Sequence, residues 1–88
     1  MKMIIAIVKD NDTESVTNTL TSATYKVTTI ASTGGFLKSG FSTMLCGVED
    51  DQLEKALAAI RGVFPPSKPD GEKRCTLFVL NVAEYHRF

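Results

Sequence analysis

Residues 26–48, KVTTIASTGGFLKSGFSTMLCGV, hold two β-branched, strand-like runs around a polar and glycine-bearing centre. The first run extends from Tyr25 to Ser32 and the second from Phe41 to Val48, each rich in Val, Thr, Ile or Leu. The connecting Ser32-Thr33-Gly34-Gly35-Phe36-Leu37-Lys38-Ser39-Gly40 carries two readings. One is a plain hairpin connection. In the other, the adjacent glycines turn backbone N–H groups toward an anion, and the preceding hydroxyls add donors. Phe36 and Leu37 beside such a loop would suit a flat apolar ligand face. The segment lacks the GxxxxGK[ST] form, so it is not an ATPase P-loop.

The chain on either side of this hairpin repeats one pattern. Residues 2–8, KMIIAIV, are apolar on both alternating faces after Lys2, as expected of a central strand covered on both sides. Asp10-Asn11-Asp12 supplies caps for a helix starting near Asp12 or Thr13, with Val16, Leu20 and Ala23 as a narrow apolar stripe. Its Thr, Ser and Asn content makes it a weak helix that needs tertiary packing. After the hairpin, Asp50-Asp51 opens a second helix with acidic charge at the positive end of its dipole. Leu53, Leu57, Ile60 and Phe64 form its stripe, and Gly62 is its stop signal. Residues 65–73, PPSKPDGEK, read as an exposed loop, and Cys75–Asn81 as a fourth strand apolar on both faces. Asn81 is placed to cap a short terminal turn over Val82 to Phe88.

Ile7-Val8-Lys9-Asp10 before the first helix is echoed by Gly47-Val48-Glu49-Asp50 before the second. Each half is therefore strand, acidic cap, helix, strand. The order β-α-β-β-α-β predicts an α+β, ferredoxin-like single domain over residues 1–88, a four-stranded antiparallel sheet with both helices on one face. The helices cover only one side of that sheet. The apolar residues left on the other side predict self-association.

Composition narrows the function. The 88 residues balance 10 Lys and Arg against 10 Asp and Glu, so no global basic field recruits a nucleic acid polymer. No apolar run approaches the roughly 20 residues of a membrane span, and no signal-peptide pattern occurs, so a cytoplasmic protein is expected. Cys46 and Cys75 sit inside apolar runs as small buried hydrophobes, not as a disulfide framework. They and the single histidine, His86, show no recognised metal-ligand spacing. No nucleophile lies in a recognisable setting, and the helix-start carboxylates are explained by capping, so no enzyme is expected and no catalytic residue is assigned.

Ser32 through Gly40, followed by Ser42-Thr43 and Gly47-Val48-Glu49-Asp50, resembles the signature of the PII-like cyclic di-AMP receptor proteins. The opening Met1 to Val8 and the close at Leu77-Phe78-Val79-Leu80 and Tyr85-His86-Arg87-Phe88 are similar to the same family. The resemblance implies a homotrimer packed through the bare sheet face, no cofactor, and a cyclic di-AMP site at the subunit interface. On matching positions it assigns ligand contacts to Lys26, where the family usually has Arg, and to Thr28, Gly35, Phe36 and Leu37. Phe41 and Arg87 stand where the family carries Asn and Gln. Phe41 stacks without reading a base edge, and Arg87 donates without accepting. These two replacements predict weaker and less selective cyclic di-AMP binding than the family norm. The loop before the fourth strand is shorter than the family's, and the downstream protein partner is unspecified. The other function class open to this sequence is a ligand-independent trimer serving as a protein-interaction module.

Overall fold

The computed structural model describes residues 1–31, 40–64 and 75–88. Strand β1 (Lys2–Lys9) leads directly into helix α1 (Asp10–Ser22), followed by β2 (Val27–Ala31) and β3 (Phe41–Val48). A 3-10 turn (Asp50–Gln52) then precedes helix α2 (Leu53–Arg61), and β4 (Cys75–Asn81) completes the sheet. The strands lie in the order β2-β3-β1-β4 with every neighbour antiparallel, the expected ferredoxin-like α+β arrangement.

Strand pairing decides which side chains share a face. Ile4 lies opposite Cys46 on one side and Val79 on the other, and Ala6 opposite Met44 and Leu77. Side chains alternate along a strand, so Ile4, Ala6 and Val8 all point to the helix layer. There they meet Met44, Cys46 and Val48 of β3, Val16 and Leu20 of α1, and Ala56 and Ile60 of α2 in one buried core. The other parity carries the row Phe78–Ile5–Leu45–Thr28 straight across all four strands. Neither helix contributes to that side. Phe78 and Leu80 are accordingly 51% and 50% exposed.

Several local expectations shift. Helix α1 begins at Asp10, two or three residues before the expected start, and no side chain caps it. Tertiary bonds hold that end instead: the Asp10 N–H donates to the Gly40 carbonyl at 2.8 Å, and the Ser42 hydroxyl to Asp10 Oδ1 at 2.7 Å. Gly40 adopts φ +87, a left-handed value that explains glycine at this junction. The α1 stripe is Asp12, Val16 and Leu20. Ala23, expected within it, is the exposed C-cap residue. In α2 the expected stripe holds, but Ala56 and Ile60 are its fully buried members, with Leu53, Leu57 and Phe64 packed beside them.

Strand β4 is an edge strand, so its two apolar faces are less covered than those of β1, and Cys75 is only half-buried. Asn81 lies within β4 and accepts from Lys2 Nζ, and the chain beyond it forms no helical turn. The Val82 N–H continues the pairing by donating to the Met1 carbonyl at 3.0 Å. The anticipated loop at 65–73 and the segment from Ser32 to Ser39 lie outside the described residues.

Burial pushes the Cys75 thiol up to about 11, with the nearby Asp12 carboxylate adding to the effect. Burial also raises Cys46. Both therefore stay protonated, and poorly nucleophilic, at neutral pH. Because the folded Cys75 pKa lies above its unfolded value of about 8.5, its contribution to stability is complete below that value. It is lost as pH rises from there through about 11. We expect thiol-labelling of the native protein at pH 7.5 to be at least tenfold slower than in denaturant. Equal rates in the two conditions would refute this burial account.

Candidate ligand cleft

The uncovered sheet face ends in a cleft of about 750 Å³. Met3, Leu45, Gly47 and Thr28 lie on its sheet side, and the volume falls within the usual range for small-molecule sites. Gly47 removes a side chain from this floor. A Cβ built there would meet nothing nearer than the Met1 sulfur at 3.8 Å, so the space above it is open. The cleft then curves around the ends of β2 and β3 to the corner between α1 and β2 and to the 3-10 turn.

At that corner Thr24 has φ +70, a left-handed conformation costing a β-branched residue roughly 1–2 kcal/mol. The corner is held because the Tyr25 N–H donates to the Leu20 carbonyl at 3.0 Å. Tyr25 thereby projects along the cleft and its hydroxyl donates to Gln52 Oε1 at 3.3 Å. On the opposite rim the C-terminal segment alternates: Tyr85 and Arg87 line the cleft, while the rings of His86 and Phe88 stack on each other at 6.1 Å. The Met1 ammonium pairs with Asp50 at 3.0 Å near the mouth, which lowers the Asp50 pKa through that hydrogen bond and charge.

Of the residues singled out from the sequence, Lys26, Thr28 and Arg87 line this one cleft. Two strongly basic groups facing an open apolar floor suit an anionic ligand with a flat apolar part. Phe41 lies elsewhere: it pairs with Lys9 at the opposite end of β3, four residues from Leu45, or roughly 13 Å along the strand. Gly35, Phe36 and Leu37 lie outside the described residues. Glu49 and Tyr85 entered the sequence reading only within the family-like stretches, Tyr25 only as the start of a strand, and Gln52 not at all; none was assigned a ligand role, yet all four line the cleft. Tyr85 had a usable signal, being an aromatic spaced two residues from Arg87 in an extended segment. Glu49 and Gln52 flank a helix start, where capping hides any other role.

A sequence-family model described as cyclic-di-AMP receptor matches residues 1–65. The chain belongs to this receptor family. Among solved structures, it is similar to a functionally unknown protein from Pediococcus pentosaceus ATCC 25745, at 29% identity and a TM-score of 0.77. That match covers 99% of this chain and 96% of the other. The cyclic-di-AMP receptor family is a binding and signalling family. Among the described residues, no group of three or more His, Cys, Asp or Glu side chains could hold a metal ion, and no helix is long and apolar enough to cross a membrane.

Proposed function

We propose that this chain is a cytoplasmic PII-like signalling protein, not an enzyme, that binds cyclic di-AMP or a related nucleotide at the interfaces of a homotrimer and passes the signal to a downstream protein. The observation that carries the reading is the position of the cleft. Lys26, Thr28 and Arg87 of a receptor-family member converge where the uncovered apolar sheet face ends. A neighbouring subunit seated on that face would close the cleft and exclude water. Thr43 lies on this face opposite Ile7, and its buried hydroxyl has no hydrogen-bond partner among the described residues. Leaving such a group unsatisfied costs about 1–3 kcal/mol, a cost that a contact from a subunit or ligand would remove.

Lys26 and Arg87 are assigned to the phosphates, and Thr28 donates a hydroxyl from the floor. Gly35, Phe36 and Leu37 remain part of the proposed site on family likeness, as does Phe41, which at the far end of β3 would meet a ligand outside this cleft. Calorimetric titration of the purified protein with cyclic di-AMP tests the reading. Saturable binding is expected, and Lys26→Ala with Arg87→Ala should weaken it by roughly two to four orders of magnitude, since each charged hydrogen bond contributes about 1.5–3 kcal/mol. No binding by the wild-type protein would sink the receptor reading and favour the ligand-independent interaction module.

A further inference from the structure

Within the cleft the basic side chains Lys26 and Arg87 answer the charge of a phosphate, but as donors without an acceptor they cannot pair with both groups of an adenine Watson–Crick edge. A nucleobase edge is read by a donor and an acceptor held in fixed relation. The only carboxamide among the described lining residues is Gln52. Its Oε1 is occupied by the Tyr25 hydroxyl at 3.3 Å, which orients the amide and leaves Nε2 to donate. Glu49, a pure acceptor when ionised, lines the same wall. The backbone fixes the two relative to each other: the Gln52 N–H donates to the Glu49 carbonyl at 2.9 Å in the 3-10 turn. Glu49 is the extended N-cap residue of that turn and Gln52 its last residue, so one turn carries both to the wall of the cleft.

Resting on the cyclic di-AMP reading above, we infer that Glu49 and Gln52 form a base-reading pair that recognises the Watson–Crick edge of one adenine. Gln52 Nε2 donates to adenine N1, and the Glu49 carboxylate accepts from the N6 amine. Guanine reverses both groups, setting its N1–H against the amide donor and its O6 against the carboxylate. The pair therefore selects adenine by attraction and rejects guanine by repulsion. Toward the base, Tyr25 is a positioning residue that acts through Gln52.

Gln52→Glu provides a near-isosteric test. The variant keeps an acceptor for the Tyr25 hydroxyl, preserving any structural role, and deletes the donor aimed at adenine N1. Wild-type protein and this variant are titrated calorimetrically with cyclic di-AMP and with cyclic di-GMP. The added charge weakens both anionic ligands alike, so the readout is the ratio of the two affinities. The expected result is a fall of at least tenfold in preference for the adenine ligand, with a smaller fall in Tyr25→Phe. An unchanged ratio in Gln52→Glu overturns the assignment even if both affinities drop, and leaves the receptor reading standing. Failure of the wild-type protein to bind either dinucleotide overturns the receptor reading, and the base assignment with it.

Discussion

Phe78→Asp is expected to convert the proposed homotrimer into monomers without unfolding the chain. Phe78 stands at the edge of the row Phe78–Ile5–Leu45–Thr28, on the face that no helix covers, and is half-exposed in the single chain. Covering a phenylalanine contributes about 1.5–3 kcal/mol, and cyclic symmetry repeats the contribution once per subunit. Aspartate removes that gain and would place an unpaired charge in an apolar contact, which costs several kcal/mol more at each copy. In a monomer the same carboxylate stays hydrated on edge strand β4, so the fold should persist. Light scattering should fall from three chain masses to one while far-UV circular dichroism stays near wild type. A variant that remains trimeric, or a wild-type protein that is already monomeric at micromolar concentration, would count against packing through this face.

The second large effect lies on the covered side. Leu20 is fully buried between α1 and the sheet, beside Val16 and the buried residues of β1 and β3. Leu20→Ala removes apolar contacts and leaves a cavity that the surrounding strands cannot fill, a change costing roughly 3–5 kcal/mol. α1 has little stability of its own, because Thr, Ser and Asn make up much of its length. For a domain of this size each kcal/mol lowers the thermal midpoint by roughly 4–8 °C, so a loss of at least 12 °C is expected. Asn18→Ala, exposed on the same helix, should stay within about 1 kcal/mol of wild type. A midpoint shift below 5 °C in Leu20→Ala would mean that α1 is not a principal wall of the core.

Most of the architecture was legible because its signals are local. Apolar residues on both parities of residues 2–8 marked a central strand, and β1 does lie between β3 and β4. The i, i+4 spacing of Val16 and Leu20 marked the buried side of α1. The echo of Val8-Lys9-Asp10 in Val48-Glu49-Asp50 announced the duplicated strand–helix unit. The errors fall where a distant partner takes over from a local rule. Capping preference put the start of α1 near Asp12, whereas a carbonyl and a hydroxyl from residues 40 and 42 hold it at Asp10. Helical periodicity drew Ala23 into the core, but the chain must already turn there to enter β2.

The candidate site divides along the same line. Lys26, Thr28 and Arg87 were named from a family pattern, and the fold brings them to one cleft although 61 positions separate Lys26 from Arg87. Glu49 stood in the sequence only within a family-like stretch before a helix and Gln52 carried no reading of its own, since nothing local says that a tyrosine 27 positions away will orient the amide. The sequence by itself therefore determined the elements, their order and the surplus of apolar side chains, because strand alternation and helical spacing depend only on near neighbours. The tertiary structure alone decided the site. Pairing β2 with β3 and β1 with β4 sets the cleft walls, and that pairing is a long-range choice among contacts no short window of sequence contains.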